Sequence, residues 1–147
     1  MSKLFTRFKP AFLIAAVAAL AFAAQAQADG ASLYKRLGGK PAITKVVADF
    51  VGNVGADARI NARFADTDLT RLKALLVEQI CEASGGPCKY SGRDMKTTHR
   101  GMAIADADFN ALVEDLVKAL DANKVPKREQ DDLLAILGPM RSDIVEK

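Results

Sequence analysis

Asp94-Met95-Lys96-Thr97-Thr98-His99-Arg100-Gly101 holds the chain's one histidine. Asp94 to Arg100 spans about two helical turns, bracketed by Gly92 and Gly101. Downstream, Phe109, Leu112, Leu116 and Leu120 align on one face of a helix that Asp106 is expected to cap and Asn123 to end. A last helix runs from Pro126 to Val145 and bends at Gly138-Pro139. Upstream, Asp68 opens a helix with Leu69, Leu72, Leu76 and Ile80 on one face, ended by Ser84-Gly85-Gly86-Pro87. Asp57 to Phe64 reads as short and broken, with Asp57 and Asn61 as the expected caps. Before it, Ile43, Val46, Val47, Phe50 and Val54 recur behind Pro41. Their valine content admits a strand, while the three-to-four spacing and the length favour a helix. Ser32 to Leu37 makes one short turn, stopped by the reversal at Gly38-Gly39. No segment shows a clear period-two alternation, so the expected fold class is all-α.

The front of the chain is of another kind. Lys3, Arg7 and Lys9 precede an apolar run from Ala11 to Ala24, and small residues flank a break after Ala28. This is the pattern of a secretory signal peptide, residues 1–28, followed by a single domain, 29–147. An uncleaved anchor is the alternative, and the apolar run is short for a membrane span. Export to the periplasm is expected, with no stable membrane insertion after cleavage. Of the 21 basic side chains, three lie in this leader, which leaves 18 to match the 18 acids of the remainder. The surplus positive charge therefore belongs to the leader. A nucleic-acid partner is not expected, because it would need a basic patch in the mature domain.

Familiar catalytic signatures are lacking. There is no Gly-x-Ser-x-Gly elbow, and Gly38-Gly39-Lys40 lacks phosphate-loop spacing. Two cysteines and one histidine fall short of a four-ligand structural zinc site. Cys81 and Cys88 suit a local disulfide in an oxidising compartment, with a redox pair or two free thiols as the rival readings. A disulfide here would tie the end of one helix to the loop feeding His99. Four of the seven phenylalanines fall in the leader, so Phe50, Phe64 and Phe109 are the large rings left for a core without tryptophan.

One neutral imidazole is enough to hold haem iron from one side. Composition and spacing permit such a pocket without requiring it. The ordered set Leu33-Tyr34, Leu37-Gly38-Gly39, Ala42-Ile43, Asp49-Phe50, Phe64, Arg71-Leu72-Lys73, Gly85-Gly86-Pro87, Tyr90-Ser91-Gly92, Met95-Lys96 and His99 resembles the group 1 truncated haemoglobins. The resemblance covers nearly all of Ser32 to Val145. It implies a two-over-two helical sandwich holding haem b, with His99 as the proximal iron ligand. Phe64 corresponds to the ring packed on the haem face, and Phe50, Phe109, Met95, Leu112 and Leu116 to pocket walls. Ordinary core packing would place the three phenylalanines similarly. Lys73, Lys96 and Tyr90 correspond to positions near the propionates, and a solvated surface is an equal reading for them.

The ligand side departs from the family pattern. Where relatives often carry a tyrosine and a glutamine, this chain has Val51 and Leu76, with Leu72 at the gate. An apolar distal pocket follows, with Gln79 the one polar residue near that helix face. No distal histidine is present, so a five-coordinate iron open to O2, CO and NO is expected. A donor hydrogen bond is worth ~1–3 kcal/mol, so its loss should favour dioxygen release by roughly tenfold or more. CO should lose less. Reversible gas binding is thus the leading reading. NO dioxygenation or a peroxidase-like reaction, fed by an external reductase, is the enzymatic alternative, and a haem-free helical interaction domain is the third.

Overall fold

The computed structural model describes residues 30–146. The expected leader, residues 1–28, lies outside the described residues. From Ser32 onward the chain is helical, and no strand occurs among the described residues. The order is α1 (Leu33–Arg36), α2 (Gly39–Ala56), a 3-10 turn (Asn61–Phe64), α3 (Leu69–Ala83), α4 (Met95–His99) and α5 (Asp106–Ala122), then α6 (Lys127–Leu137), a second 3-10 turn (Gly138–Met140) and α7 (Arg141–Ile144). None of the helices among the described residues is long and apolar enough to cross a membrane.

The central element is α2, which packs on both α3 and α5. Its valine-rich run is helical because one face has somewhere to go. Ile43, Val46, Val47, Phe50, Val51 and Val54 are all buried. They meet Val77, Ile80 and Cys81 of α3, Ala111, Leu116, Ala119 and Leu120 of α5, and Leu133 of α6. Small side chains at Ala111 and Ala119 let α5 lie close to its partners. Gly38 makes the reversal before α2 at φ 95°, where a Cβ would stand 2.8 Å from that of Ala42.

Polar ties fix the order of the helices. Arg36 of α1 forks onto Glu129 (2.7 Å) and Asp132 (2.5 Å) of α6. Asn53 of α2 donates to the Asp115 carbonyl of α5 at 3.0 Å, and Asn123 donates to Asp49 at 2.7 Å. The Arg36–Glu129 pair, 15% and 11% exposed, satisfies charges that burial would otherwise penalise.

Three local expectations need correction. Leu69 is 42% exposed, so the buried stripe of α3 begins later than the sequence suggested. At the start of a helix there is no preceding turn to carry a packing neighbour. Asn61 is the first residue of its 3-10 turn rather than its cap; Ile60 holds the cap position. Asp106 is the first helical residue of α5, and the backbone N–H of Ala105 is taken by the Asp108 carboxylate at 2.9 Å. The other boundaries agree: Asp68 accepts from Thr70 and Arg71 at 3.0 Å each, and the last helix breaks at Gly138-Pro139.

Leu133 is 1% exposed where α6 meets the core. Leu133→Ala is expected to lower the unfolding free energy by ~2–5 kcal/mol, read from urea titrations followed by circular dichroism.

Candidate functional site

The helix carrying His99 is five residues long. An isolated turn of that length is unstable, because nucleation costs more than one or two hydrogen bonds return. It persists because its start is capped. The Asp94 carboxylate accepts the Thr97 N–H at 2.8 Å, and the Thr98 hydroxyl donates to the Asp94 carbonyl at 2.8 Å. Hydrogen bonds from Thr97, its amide first, hold the Asp94 carboxyl below its ordinary range.

His99 is half-buried, and its Nδ1 lies 2.8 Å from the Met95 carbonyl oxygen. A carbonyl can only accept, so Nδ1 carries the proton. In the neutral ring the lone pair is therefore on Nε2. A histidine that ligates metal is commonly oriented in this way, its second nitrogen bound to a backbone carbonyl.

A cleft of about 270 Å³ opens between α3 and the segment leading into α4. Gln79, Glu82 and Ala83 line one side, Tyr90, Asp94 and Met95 another, and Met140 the end. His99 follows one turn after Met95. Gln79 Nε2 donates to the thioethers of Met95 and Met140, 3.5 Å from each sulfur. The amide expected near the ligand side thus contacts one thioether on the histidine-bearing helix and one on the second 3-10 turn.

The other anticipated residues fall into three groups. Phe50, Val51, Phe109 and Leu116 are buried. Phe64, Leu72, Leu76 and Leu112 are partly buried and pack against that core. Lys73 and Lys96 are exposed. Tyr90 turns its hydroxyl to the Arg93 carbonyl at 2.9 Å, and burial pushes its phenol pKa up, so it stays a donor. Phe109 has a neighbour the sequence did not suggest: the Arg141 guanidinium stands 5.2 Å from its ring centroid. That arginine also binds Asp106 and Asn110.

The loop into α4 is fastened to α3 by several ties. Cys81 and Cys88 form a disulfide with Cα atoms 5.7 Å apart. Glu82 accepts the Tyr90 N–H at 3.0 Å, and Glu78 accepts both the N–H and the hydroxyl of Ser91, at 3.0 and 2.7 Å. These hydrogen bonds, from the Ser91 hydroxyl first for Glu78 and the Tyr90 amide first for Glu82, lower both carboxyl pKa values. Sequence reasoning missed Met140, Glu78 and Glu82. Glu78 and Glu82 are one helical turn apart and precede the loop they bind, which is the one local signal available.

The donor set fits a haem. One imidazole has a fixed proton, and apolar side chains dominate α2 and α3. Together with the helical sandwich, this defines a globin-like haem protein. The chain belongs to the bacterial-like globin family, whose model matches residues 32–146. A group 1 truncated haemoglobin of Mycolicibacterium paratuberculosis is 36% identical over 118 residues, covering 80% of this chain and 87% of the relative. The Tetrahymena pyriformis truncated haemoglobin in its Fe(III) form superposes with a TM-score of 0.77 at 27% identity, covering 80% of this chain and all of that one. The 2/2 haemoglobin of a Synechococcus species, solved in the cyanomet state with covalently attached haem, gives 0.75 at 32% identity over the same shares. The two-over-two expectation is thereby met, and haem is the family's cofactor.

The lowered carboxyl pKa values set a pH dependence. A carboxylate whose folded pKa is depressed stabilises the fold above its ordinary value and loses that contribution as pH falls through the folded value. The thermal midpoint should therefore decline as pH drops below 4.5, the ordinary glutamate value. A Glu78→Gln/Glu82→Gln variant should start lower at neutral pH and show a flatter decline, read by differential scanning calorimetry.

Proposed function

We propose that this chain binds haem b beside α4, between His99 and the apolar side chains of α2 and α3, and binds dioxygen, CO and NO reversibly, with His99 Nε2 as the iron's protein ligand. The bond from His99 Nδ1 to the Met95 carbonyl carries the proposal, because it leaves Nε2 as the unprotonated nitrogen. When bound, the haem supplies the iron at which a diatomic gas attaches. The protein supplies the rest. Asp94 holds the short helix, Met95 fixes the imidazole tautomer, and the buried flanks exclude water. Lys73 and Lys96, exposed and cationic, suit the propionates.

On the ligand side Val51, Leu72 and Leu76 offer no N–H or O–H group. Gln79 spends its amide on two sulfurs. A polar diatomic ligand therefore gains no donor from these positions, and dioxygen should be released faster than from a pocket with a tyrosine. Consumption of NO would take electrons from an external reductase. Residues 1–28 support export to the periplasm, and the Cys81–Cys88 disulfide suits an oxidising compartment.

The direct test is the absorption spectrum of the hemin-reconstituted protein, reduced and exposed to CO, beside His99→Ala. A sharp ferrous–CO Soret band at one haem per chain, lost or broadened in His99→Ala, is the expected outcome; a band indifferent to the substitution would overturn the assignment. Val51→Tyr should slow dioxygen release about tenfold or more, the effect of one added hydrogen bond, in stopped-flow displacement by CO.

A further inference from the structure

His99 is the last residue of its helix, and Arg100 already leaves it with ψ 127°. The five residues that follow cannot borrow order from regular structure. Gly101, Met102 and Ala103 are exposed, and Gly101 (φ 78°) and Ala103 (φ 49°) are both left-handed. The second is unfavourable for an alanine and persists only where surrounding contacts over-determine it. The one local tie is the Met102 N–H to the His99 carbonyl at 3.1 Å.

The over-determination comes from two charged side chains far away in sequence. Glu146 accepts the Gly101 N–H on one carboxylate oxygen and the Ala103 N–H, at 2.7 Å, on the other. Its own backbone N–H donates to the Ile104 carbonyl at 3.0 Å. From the opposite sign, Arg63 donates to the Met102 carbonyl (2.8 Å), the Ala103 carbonyl (3.2 Å) and the Asp108 carboxylate (2.7 Å). An anion thus holds the N–H groups of Gly101 and Ala103, and a cation holds the carbonyls of Met102 and Ala103. Charge-assisted bonds of this kind are the stronger class. Glu146 follows α7, which packs on α4; Arg63 precedes Phe64 in the 3-10 turn.

The geometry points to Arg63 and Glu146 as positioning residues: a two-sided clamp on residues 101–103 that sets the orientation of the His99 imidazole toward the haem iron. This rests on the haem-binding reading above. Asp94 and Met95 fix the helix and tautomer from the front, and the clamp fixes the exit. Without it the histidine would sit at the end of a single turn followed by an exposed, strained strand of backbone.

The experiment compares wild type with Glu146→Ala, Glu146→Gln, Arg63→Ala and Arg63→Lys by two readouts. Amide hydrogen exchange in the haem-free protein reports the clamp itself. Thr98 and Met102 should exchange at least about tenfold faster in both alanine variants, while Leu120 in the core stays unchanged. Resonance Raman of the reduced, reconstituted protein reports positioning: the iron–histidine stretching band should shift or broaden in the alanine variants. Glu146→Gln, which loses the charge and keeps one of the two acceptor oxygens, should fall between. Unchanged exchange overturns the clamp. Faster exchange with an iron–histidine band superimposable on wild type overturns its positioning role. A wild type that shows no His99-dependent iron band overturns the haem reading, seen before any variant is compared, and the positioning role with it.

Discussion

The bond from the His99 ring to the Met95 carbonyl is a single local contact, and much of the surrounding structure serves to make it possible. It needs both residues on one helical turn, since the donor and acceptor are four positions apart. That turn is too short to form alone. It therefore depends on the Asp94 cap in front, on the loop fastened to α3 behind it, and on α7 packed against its side. A neutral imidazole has two tautomers, and only the one with Nδ1 protonated leaves Nε2 free for a metal.

The support is unusually polar for a small helical domain with a near-balanced charge. Glu78 and Glu82 each use their carboxylate on backbone N–H groups of the incoming loop rather than on a lysine alone. Glu82 also pairs with Lys89 of the same loop at 3.2 Å. The disulfide adds a covalent tie at the same place. The cleft is consequently firm on the side of α4 and soft at its end, where Met95 and Met140 present polarizable thioethers to Gln79. Methionine adapts its shape readily, so this end of the cleft can accommodate small shifts of its neighbours.

The sequence made the helices legible because their apolar faces repeat at the right spacing over ten or more residues. Val46, Val47, Phe50 and Val54 lie where that periodicity puts them, and Asp68 caps as its type suggests. His99 stood out as the candidate ligand because no second histidine competes with it and the surrounding motif orders it. Boundaries were less so: Ala105 and Ile60 hold cap positions that more polar neighbours seemed better suited to fill, because the neighbouring acid or asparagine sits one residue too late. Contacts between distant segments were not legible at all. Nothing local in Glu146 or Arg63 says that they meet the same stretch of backbone, and nothing in Gln79 says that its amide turns to sulfur. Such pairings are set by how the helices cross, which the period of one helix does not encode.

The measurement closest to the centre of this account is the tautomer of His99 in the haem-free protein. Two-bond nitrogen–proton correlation spectra of the nitrogen-15-labelled chain, taken where the ring is neutral, distinguish the two forms directly. The account predicts a ring protonated on Nδ1, with its proton held by the Met95 carbonyl. A ring protonated on Nε2, or one exchanging freely between the forms, would contradict it and remove the support for the proposed role of His99 as a ligand.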